Sequence, residues 1–322
     1  MKRFEALASD WIRAVRGRRS QRSLSRRLGY RSNIVYRWES GRCFPTARAL
    51  LWGMAKLGHD TRAALTRFYG SAPAWLEQTT PASRDGVVQL LEDLRGRTPM
   101  VALANKTGFS RHRIARWLSG AAEPKLPEWL ALIEASSLRL LDFVAAFVDP
   151  TGLPSVAEEW RRLQAVRESA YARPDSHVVL RALELADYAG LKRHDAGFVA
   201  RRIGLTVGDV VECVKLLHAG GQIRWHNEKW LPVEETVVDT RQDETRARAL
   251  KAFWLRRAAE HASSGGDGIF GYNLFSISKR DLAKVQKLHL RYYREVQEII
   301  ARSKPNDHVA LFAAQLFRLD RD

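Results

Sequence analysis

Five polar side chains lie within seven residues near the beginning of the chain, in the stretch "RSNIVYR": Arg31, Ser32, Asn33, Tyr36 and Arg37. Asparagine can form two hydrogen bonds with the edge of an adenine, and arginine can donate two to a guanine. Residues three and four apart share one face of a helix. The stretch therefore has residue types and a spacing suited to reading bases in a DNA groove.

A second cationic set follows 79 residues later, in the stretch "SRHRIAR". Its polar members are Ser110, Arg111, His112, Arg113 and Arg116. Ser110 is a candidate helix N-cap, and basic side chains at a helix start suit a groove or a phosphate. Each set runs into almost the same five letters, "RWESG" at residues 37–41 and "RWLSG" at residues 116–120.

These letters belong to a longer internal repeat. Residues 16–45 align with residues 95–124 without a gap, and 10 of the 30 positions are identical. Self-similarity at a fixed offset indicates a duplicated structural unit. Trp38 and Trp117 recur within it, and we expect both to be core residues.

Each copy has the pattern of two short helices separated by a glycine turn. In the first copy we predict one helix over residues 21–28, ending at Gly29, and a second over residues 32–40, ending at Gly41. Further helices, at about residues 4–15 and 46–57, would close a bundle around them. This is the helix-turn-helix pattern, in which the second helix enters the DNA major groove.

The first copy resembles the Cro/phage-repressor (XRE) type of helix-turn-helix. The matching positions are Ser20-Gln21, Leu24-Ser25, Gly29, Val35, Trp38-Glu39, Gly41 and Pro45, with Ser25 where the family usually has alanine. The resemblance implies a DNA reader.

Other residues of the first copy would support the reading helix. Gln21 and Arg22 are placed to contact phosphate or to pack on that helix. The expected phosphate clamp is Arg42 together with Arg18, Arg19, Arg26 and Arg27.

The second copy restores the alanine at Ala104, but it has Met100 and Leu118 where the first copy has Gln21 and Glu39. Leu118 predicts a face that packs against something. We leave open whether this copy reads DNA or serves as a dimerisation or packing module. The recurrence of Arg37 as Arg116 could reflect a shared DNA contact or a shared salt bridge.

Charge supports a polyanionic partner. The 322 residues include 53 Lys and Arg against 36 Asp and Glu, a net charge of +17, and the sequence pI is about 10.3. Residues 1–79 carry 16 basic and 5 acidic residues, whereas residues 80–150 are nearly balanced, with 9 and 8. Nucleic acid is the simplest partner, and an anionic membrane surface is the competing interpretation.

Cysteine content and hydropathy predict a cytoplasmic protein. Two cysteines, Cys43 and Cys213, make neither a disulfide framework nor a zinc site. The first residues lack the uninterrupted apolar run of a signal peptide. Charges at helical spacing interrupt the most apolar stretch, residues 126–150, which predicts a helix pair or one long helix, not a membrane span.

The next part of the chain suggests a winged helix. After a helix at about residues 156–171, we predict three helices within residues 177–221 and a hairpin over residues 221–233, turning at Asn227 and Glu228. The third helix presents Asp209, Glu212 and Lys215, so a scaffold role is the alternative to DNA contact.

The C-terminal part is predicted to be a small α+β domain. We expect helices over residues 243–261 and 279–302, and two paired strands over residues 270–277 and 308–319. Residues 158–322 resemble a bacterial family that joins an N-terminal helix-turn-helix to a C-terminal domain of unknown function, with Arg318 where members typically have proline. That resemblance implies a transcription-regulator context and supplies no catalytic residue.

No motif predicts an enzyme, a metal site or a cofactor. The nine histidines form no HxxxH or HxH pair beside a carboxylate, and the Gly-rich residues 263–268 lack the ending of a phosphate loop. A nuclease with a dispersed site stays open.

We therefore expect a mainly α protein with two tandem Cro-like helical bundles (residues 1–70 and 80–150), a connecting helix and winged helix (155–235) and a C-terminal dimerisation or sensor domain (240–322). The expected function is sequence-specific binding of double-stranded DNA by a homodimeric repressor at a pseudo-palindromic operator, with RNA polymerase or an effector as further partners. The alternatives are a protein–protein adaptor or inhibitor and an RNA-binding protein.

Overall fold

The computed structural model describes residues 1–96, 98–233, 240 and 243–320. The protein is mainly α-helical, as predicted. It divides into two compact units. Unit 1 contains Met1–Arg167, and unit 2 contains residues 168–233 and 243–320.

Unit 1 is built from helices joined by short connections. They are α1 (Lys2–Arg16), α2 (Gln21–Arg27), α3 (Ile34–Glu39), α4 (Ala47–Lys56), α5 (Thr61–Tyr69), α6 (Ala74–Gln78), α7 (Arg84–Arg95), α8 (Met100–Thr107), α9 (Arg111–Leu118), α10 (Leu126–Ser137) and α11 (Leu140–Ala145), then a 3₁₀ turn (Pro150–Gly152) and α12 (Ala157–Ala172). The last residues of α12, 168–172, belong to unit 2. Of the two alternatives for residues 126–150, a helix pair and one long helix, the structure shows the pair, because Leu138 ends α10 with a left-handed backbone conformation.

The 79-residue repeat extends through five helices. At that offset α1 to α5 coincide with α7 to α11, and both α1 and α7 end at an arginine followed by a glycine. The packing recurs as well. Tyr30 meets Trp38 edge to face at 5.5 Å between ring centroids, and Phe109 meets Trp117 in the same way at 5.2 Å. The sequence repeat is therefore a repeat of local packing.

The two copies are joined by a reciprocal pair of backbone hydrogen bonds. The Ala47 amide donates to the Pro124 carbonyl at 3.0 Å, and the Leu126 amide donates to the Pro45 carbonyl at 2.8 Å. Ala47 corresponds to Leu126, and Pro45 to Pro124, at the 79-residue offset. Each copy thus donates one backbone hydrogen bond to the other copy and accepts the equivalent bond from it.

Both copies contribute to one hydrophobic core. Trp11 of α1 is fully buried. Its ring lies 6.5 Å from that of Trp129, 6.1 Å from Phe143 and 5.6 Å from Phe147, all in the second copy. The two predicted N-terminal bundles therefore share their apolar interior.

Unit 2 begins with a helical cluster and a hairpin. Its elements are α13 (Asp175–Ala182), α14 (Ala186–Ala189), α15 (Ala196–Ile203), α16 (Val207–Ala219), β1 (Ile223–His226), β2 (Lys229–Pro232), α17 (Glu244–Ser263) and α18 (Lys279–Arg302). β1 and β2 pair antiparallel with Trp225 opposite Trp230. The predicted turn at Asn227 and Glu228 is confirmed, since both have positive φ, as a two-residue type I′ turn requires.

The two strands predicted near the C-terminus are absent. Residues 270–277 and 308–319 have no strand structure, and within the described residues no backbone hydrogen bond joins them. Their alternating apolar residues are mostly exposed; Tyr272 and Leu319 are examples. The prediction of an α+β C-terminal domain is wrong here, because a strand needs a paired partner as well as an apolar pattern.

The described helices also bear on membrane insertion. None of them combines the length and the apolar composition that crossing a bilayer requires.

Unit 2 should lose stability in mild acid. Burial lowers the pKa of His177, with a further lowering by Arg181, and burial lowers the pKa of His194. The folded state therefore favours both neutral rings. Their stabilisation is complete above the ordinary pKa of about 6.5 and declines as pH falls through the lower folded pKa values. Urea unfolding between about pH 7.5 and pH 5.5 should show this decline. A double variant, His177→Gln with His194→Gln, should show a smaller one, and an equal decline would contradict the assignment.

Candidate nucleic-acid interface

Two polar side chains fix the turn between α2 and α3. The buried Ser25 hydroxyl donates to the Gln21 carbonyl at 2.8 Å and accepts from the Val35 amide at 3.1 Å. Asn33 caps α3, because its Oδ1 accepts from the Tyr36 amide at 3.4 Å. The first amides of a helix have no partner within it. Ser25 and Asn33 therefore satisfy two of them and set where α3 begins.

This capping shortens α3 relative to the prediction. A helix over residues 32–40 was expected, whereas Ser32 and Asn33 precede a helix that begins at Ile34. In the second copy α9 already begins at Arg111, the counterpart of Ser32, because the Ser110 hydroxyl caps it by accepting from the Arg113 amide at 3.3 Å. The turns thus differ at the positions expected to meet a ligand.

Glu39 connects three helices. Its carboxylate belongs to a residue only 6% exposed. It accepts from Arg16 Nε of α1 at 2.5 Å and from Gln21 Nε2 of α2 at 2.6 Å. Arg13 adds a bond to the Glu39 carbonyl at 2.9 Å. Of the two roles predicted for Gln21, the structure shows the packing role, in which its amide ties α2 to α3.

The second copy replaces this polar cluster with apolar contacts. Leu118 stands at the Glu39 position and is 6% exposed, which confirms that this face packs. Met100 stands at the Gln21 position and packs against the same core. Arg95, the counterpart of Arg16, pairs instead with Glu92 of its own helix, with 3.1 Å between Nη1 and Oε2. Apolar side chains have replaced both the acceptor Glu39 and the donor Gln21, so neither of these two positions carries a polar group that would need a partner.

We call the exposed polar side chains around α2 and α3 the first cationic face. Its members are Arg22, Arg31, Ser32, Asn33, Tyr36, Arg37 and Arg42, and all are exposed. Tyr36 lies 5.3 Å from the Arg42 guanidinium, measured from the ring centroid, which is a cation–π distance. The face therefore combines planar cations with an aromatic side chain.

Little negative charge lies near this face in sequence. Residues 11–59 contain a single acidic residue, Glu39, and it is buried against Arg16 and Gln21. None of the arginines of residues 18–42 pairs with a carboxylate that the structure describes. These arginines are Arg18, Arg19, Arg22, Arg26, Arg27, Arg31, Arg37 and Arg42, all exposed. The positive charge of this segment is thus left for an external anion.

The shared salt bridge considered for Arg37 and Arg116 is not present. Neither guanidinium forms an ion pair with any carboxylate in the described ranges, and both side chains are exposed. The salt-bridge interpretation therefore has no support among the described residues, and the shared DNA contact stays a prediction.

Asn33 is less available for pairing with a base than the sequence suggested. Its Oδ1 accepts from the Tyr36 amide at 3.4 Å, which is the cap of α3. Pairing with an adenine requires both the amide oxygen and the amide nitrogen. Asn33 could make that pair only by giving up the cap of α3, so its NH₂ group is the part free to donate outward.

The second cationic face consists of the exposed residues Ser110, Arg111, His112, Arg113 and Arg116. Arg113 is held within the fold. It forms an ion pair with Glu128, and its guanidinium lies 5.2 Å from the Phe109 ring centroid and 4.9 Å from that of Trp117. Arg111, His112 and Arg116 make no ion pair among the residues that the structure describes. This face therefore offers fewer free cations than the first.

Sequence reasoning missed two residues that position the first face. Arg16 was not singled out in the sequence, yet its Nε donates to Glu39 Oε1 at 2.5 Å. Its recurrence as Arg95 in the second copy was a usable signal. Ser25 was recognised only as a departure from alanine, and nothing in the sequence showed that its hydroxyl would hold α3.

The third helix of the winged-helix prediction carries balanced charge. On α16, Asp209 pairs with Arg173, and Glu212 pairs with Lys215. A hydrogen bond from Thr206, followed by the charge of Arg173, lowers the pKa of Asp209, and Lys215 lowers that of Glu212. Both carboxyls are held ionised, so this surface does not resemble the first cationic face.

The described residues hold no arrangement of three or more His, Cys, Asp or Glu side chains that could bind a metal ion. The histidines and carboxylates of the described ranges are thus not gathered into a candidate metal centre.

These features define a mainly α-helical protein with a cationic surface on a duplicated helical unit. Residues 155–319, just over half of the chain, match the family described as a domain of unknown function, DUF4423. The chain belongs to that family. This confirms the predicted relation of its C-terminal half to a domain of unknown function, while the XRE resemblance of the first copy stays a prediction. No curated protein and no solved structure matches the chain.

Proposed function

We propose that this protein is a cytoplasmic, sequence-specific DNA-binding transcriptional regulator in which the first cationic face is the main base reader. The observation that carries the proposal is the set of exposed arginines in residues 18–42, none of which pairs with a described carboxylate. Nucleic-acid phosphates are the common polyanion that such a surface attracts. The proposal includes the finer fold assignment, two Cro-like bundles in unit 1 and a winged helix in unit 2.

The arrangement of α1, α2 and α3 supports a helix-turn-helix role. Glu39 holds α3 against α2 and α1 while leaving Tyr36 and Arg37 on the outer side. A recognition helix needs such support, because a side chain can discriminate bases only if its position is fixed. Arg37 would read a base edge, and Arg31 and Ser32 would approach from the turn that precedes the helix.

Phosphate contacts would surround this reading position. The arginines expected to make them are Arg18, Arg19, Arg22, Arg26, Arg27 and Arg42. Each phosphate neutralised releases condensed counterions, so binding should weaken as salt rises. Regulation would follow from occupancy of an operator that competes with, or recruits, RNA polymerase. The C-terminal half would dimerise the protein or sense an effector.

Replacing Arg37 by alanine should weaken binding to the preferred duplex about tenfold and relax preference at one base pair, because one bidentate contact contributes about 1–3 kcal/mol. The preferred duplex would first be selected from a random pool with the full chain, and affinity measured by fluorescence anisotropy. Arg162→Ala is the matched control, since Arg162 is exposed in unit 1 and paired with Glu158. It should leave affinity within about twofold.

Two results would overturn the proposal. One is a pool from which no motif is enriched although binding is strong and salt-dependent, which would indicate general polyanion binding. The other is equal competition by single-stranded RNA of the same length, which would favour the RNA-binding alternative.

A protein–protein adaptor is the second candidate function, and specific observations favour it for part of the chain. Leu118 is buried, Arg113 is neutralised by Glu128, and the α16 carboxylates are paired. Under this alternative, these parts of the chain would serve as a scaffold. Under this alternative, duplex binding by the wild-type chain would be weak, and an acidic protein would compete for the first cationic face.

A further inference from the structure

We infer that a single chain presents both cationic faces to one DNA duplex, as an internal two-fold pair that binds two unlike half-sites. This rests on the proposed function and adds the form of the DNA site and the number of chains that occupy it. For the readers of unit 1 it replaces the homodimer expected from the sequence.

The first support is the reciprocal bonding between the copies. Bonds from Ala47 to Pro124 and from Leu126 to Pro45 are the same bond with the copies exchanged. Thr46 and Lys125, also 79 residues apart, form the antiparallel bridge between them. In an interface between identical subunits, contacts that pair i with j and j with i define a two-fold axis. The axis here passes between Thr46 and Lys125.

Helix packing follows the same relation. α1 packs on α10, and α7 packs on α4, and each pair becomes the other when the copies are exchanged. α4 also meets α10, and α5 meets α11, which are the contacts expected of elements at the axis. The copies therefore form one body through a shared core, and their two cationic faces have a fixed separation.

Both faces remain exposed, and the length of chain between them allows a separation that suits DNA. The reading helices end at Glu39 and Leu118, each seven residues before the axis residue of its own copy. Seven residues span at most about 25 Å. The two helix ends thus lie no more than about 55 Å apart, a range that includes the spacing of about 34 Å between half-sites one turn apart.

The two half-sites should share one feature and differ elsewhere. Arg37 corresponds to Arg116, so both arms can present an arginine to a guanine. The remaining correspondences at the 79-residue offset pair different side chains: Arg31 with Ser110, Ser32 with Arg111, Asn33 with His112, and Tyr36 with Ala115. The expected DNA site is therefore an imperfect palindrome. Its two arms share one base pair and differ in the base pairs beside it.

The test uses the full chain and its selected duplex. Sedimentation should give equal numbers of chains and duplexes, one of each or, where the C-terminal halves dimerise, two of each. Arg37→Ala should relax preference in one arm and Arg116→Ala in the other, each weakening binding about tenfold, with Arg162→Ala as the control. Inserting about 5 bp between the arms should remove the contribution of the second arm, because it rotates that arm to the opposite side of the duplex.

Other outcomes separate this inference from the proposed function. A motif bound only by two chains, or one with a single arm that Arg116→Ala leaves unchanged, would overturn the internal pair while leaving a DNA-binding regulator. Relaxed preference at the same arm in both variants would also overturn it. Failure to enrich any motif would instead overturn the proposed function.

Discussion

Replacing Trp11 by alanine should destabilise both copies of the repeat together, by about 3–5 kcal/mol. Trp11 belongs to the first copy, yet the rings packed around it are Trp129, Phe143 and Phe147 of the second. Its removal would leave a cavity in a core that both copies share. Amide hydrogen exchange should therefore show a similar loss of protection at Val35 and Ile114, one in each copy.

Trp52→Ala is the matched control for this experiment. Trp52 also lies in unit 1 but is 47% exposed, so its replacement should change stability by less than about 1 kcal/mol. Loss of protection confined to Val35, with Ile114 unchanged, would contradict the shared core and show that each copy folds independently.

Replacing Glu39 by leucine should cost about 2–3 kcal/mol, although leucine occupies the same position in the second copy. The change removes the acceptor for Arg16 and Gln21 and leaves their donors facing an apolar side chain. The cost should be smaller than for a fully buried pair, because the Arg16 side chain is 24% exposed and can turn toward water. Urea unfolding of the full chain, together with hydrogen exchange at Val35, would measure it.

Adding Gln21→Met to Glu39→Leu should recover about 1 kcal/mol or more. The double variant reproduces the Met100 and Leu118 pair of the second copy. The Gln21 amide is gone, so it no longer faces the new leucine. Residues in direct contact are expected to show this kind of non-additivity. Glu5→Leu serves as the control for loss of an acidic residue, since Glu5 is exposed. A double variant less stable than Glu39→Leu would contradict the explanation that Met100 and Leu118 together replace the Gln21 and Glu39 pair.

The helices of both copies could be predicted from the sequence because their stops and core positions are local. Gly29 and Gly41 adopt positive φ, and Trp38 is buried, as the pattern indicated. The start of α3 could not be predicted, because it depends on where the Ser25 hydroxyl lies after α2 and α3 have packed. The limit on base pairing by Asn33 has the same kind of cause, because its amide oxygen is used to cap α3 at the Tyr36 amide.

The contacts between the two copies could not be predicted from the sequence, for a different reason. The bonds between residues 45–47 and 124–126 are made by backbone atoms, which leave no trace in residue type. For the C-terminal segments the sequence predicted a contact that the structure does not show. Residues 270–277 and 308–319 have the alternating pattern of strands, but a pattern cannot show whether a pairing partner is within reach.

Under the proposed DNA-binding function, covalent linkage of the two copies also affects how binding responds to the amount of protein. A reader assembled from two separate chains loses occupancy of its sites steeply on dilution, because dilution also dissociates the free dimer that binds DNA. Here the second face stays at a high effective concentration beside the first, whatever the number of molecules in the cell. Occupancy would then follow a simple hyperbola in protein concentration, and a modest second reader would still add to affinity. This arrangement would suit a regulator that is present in few copies per cell.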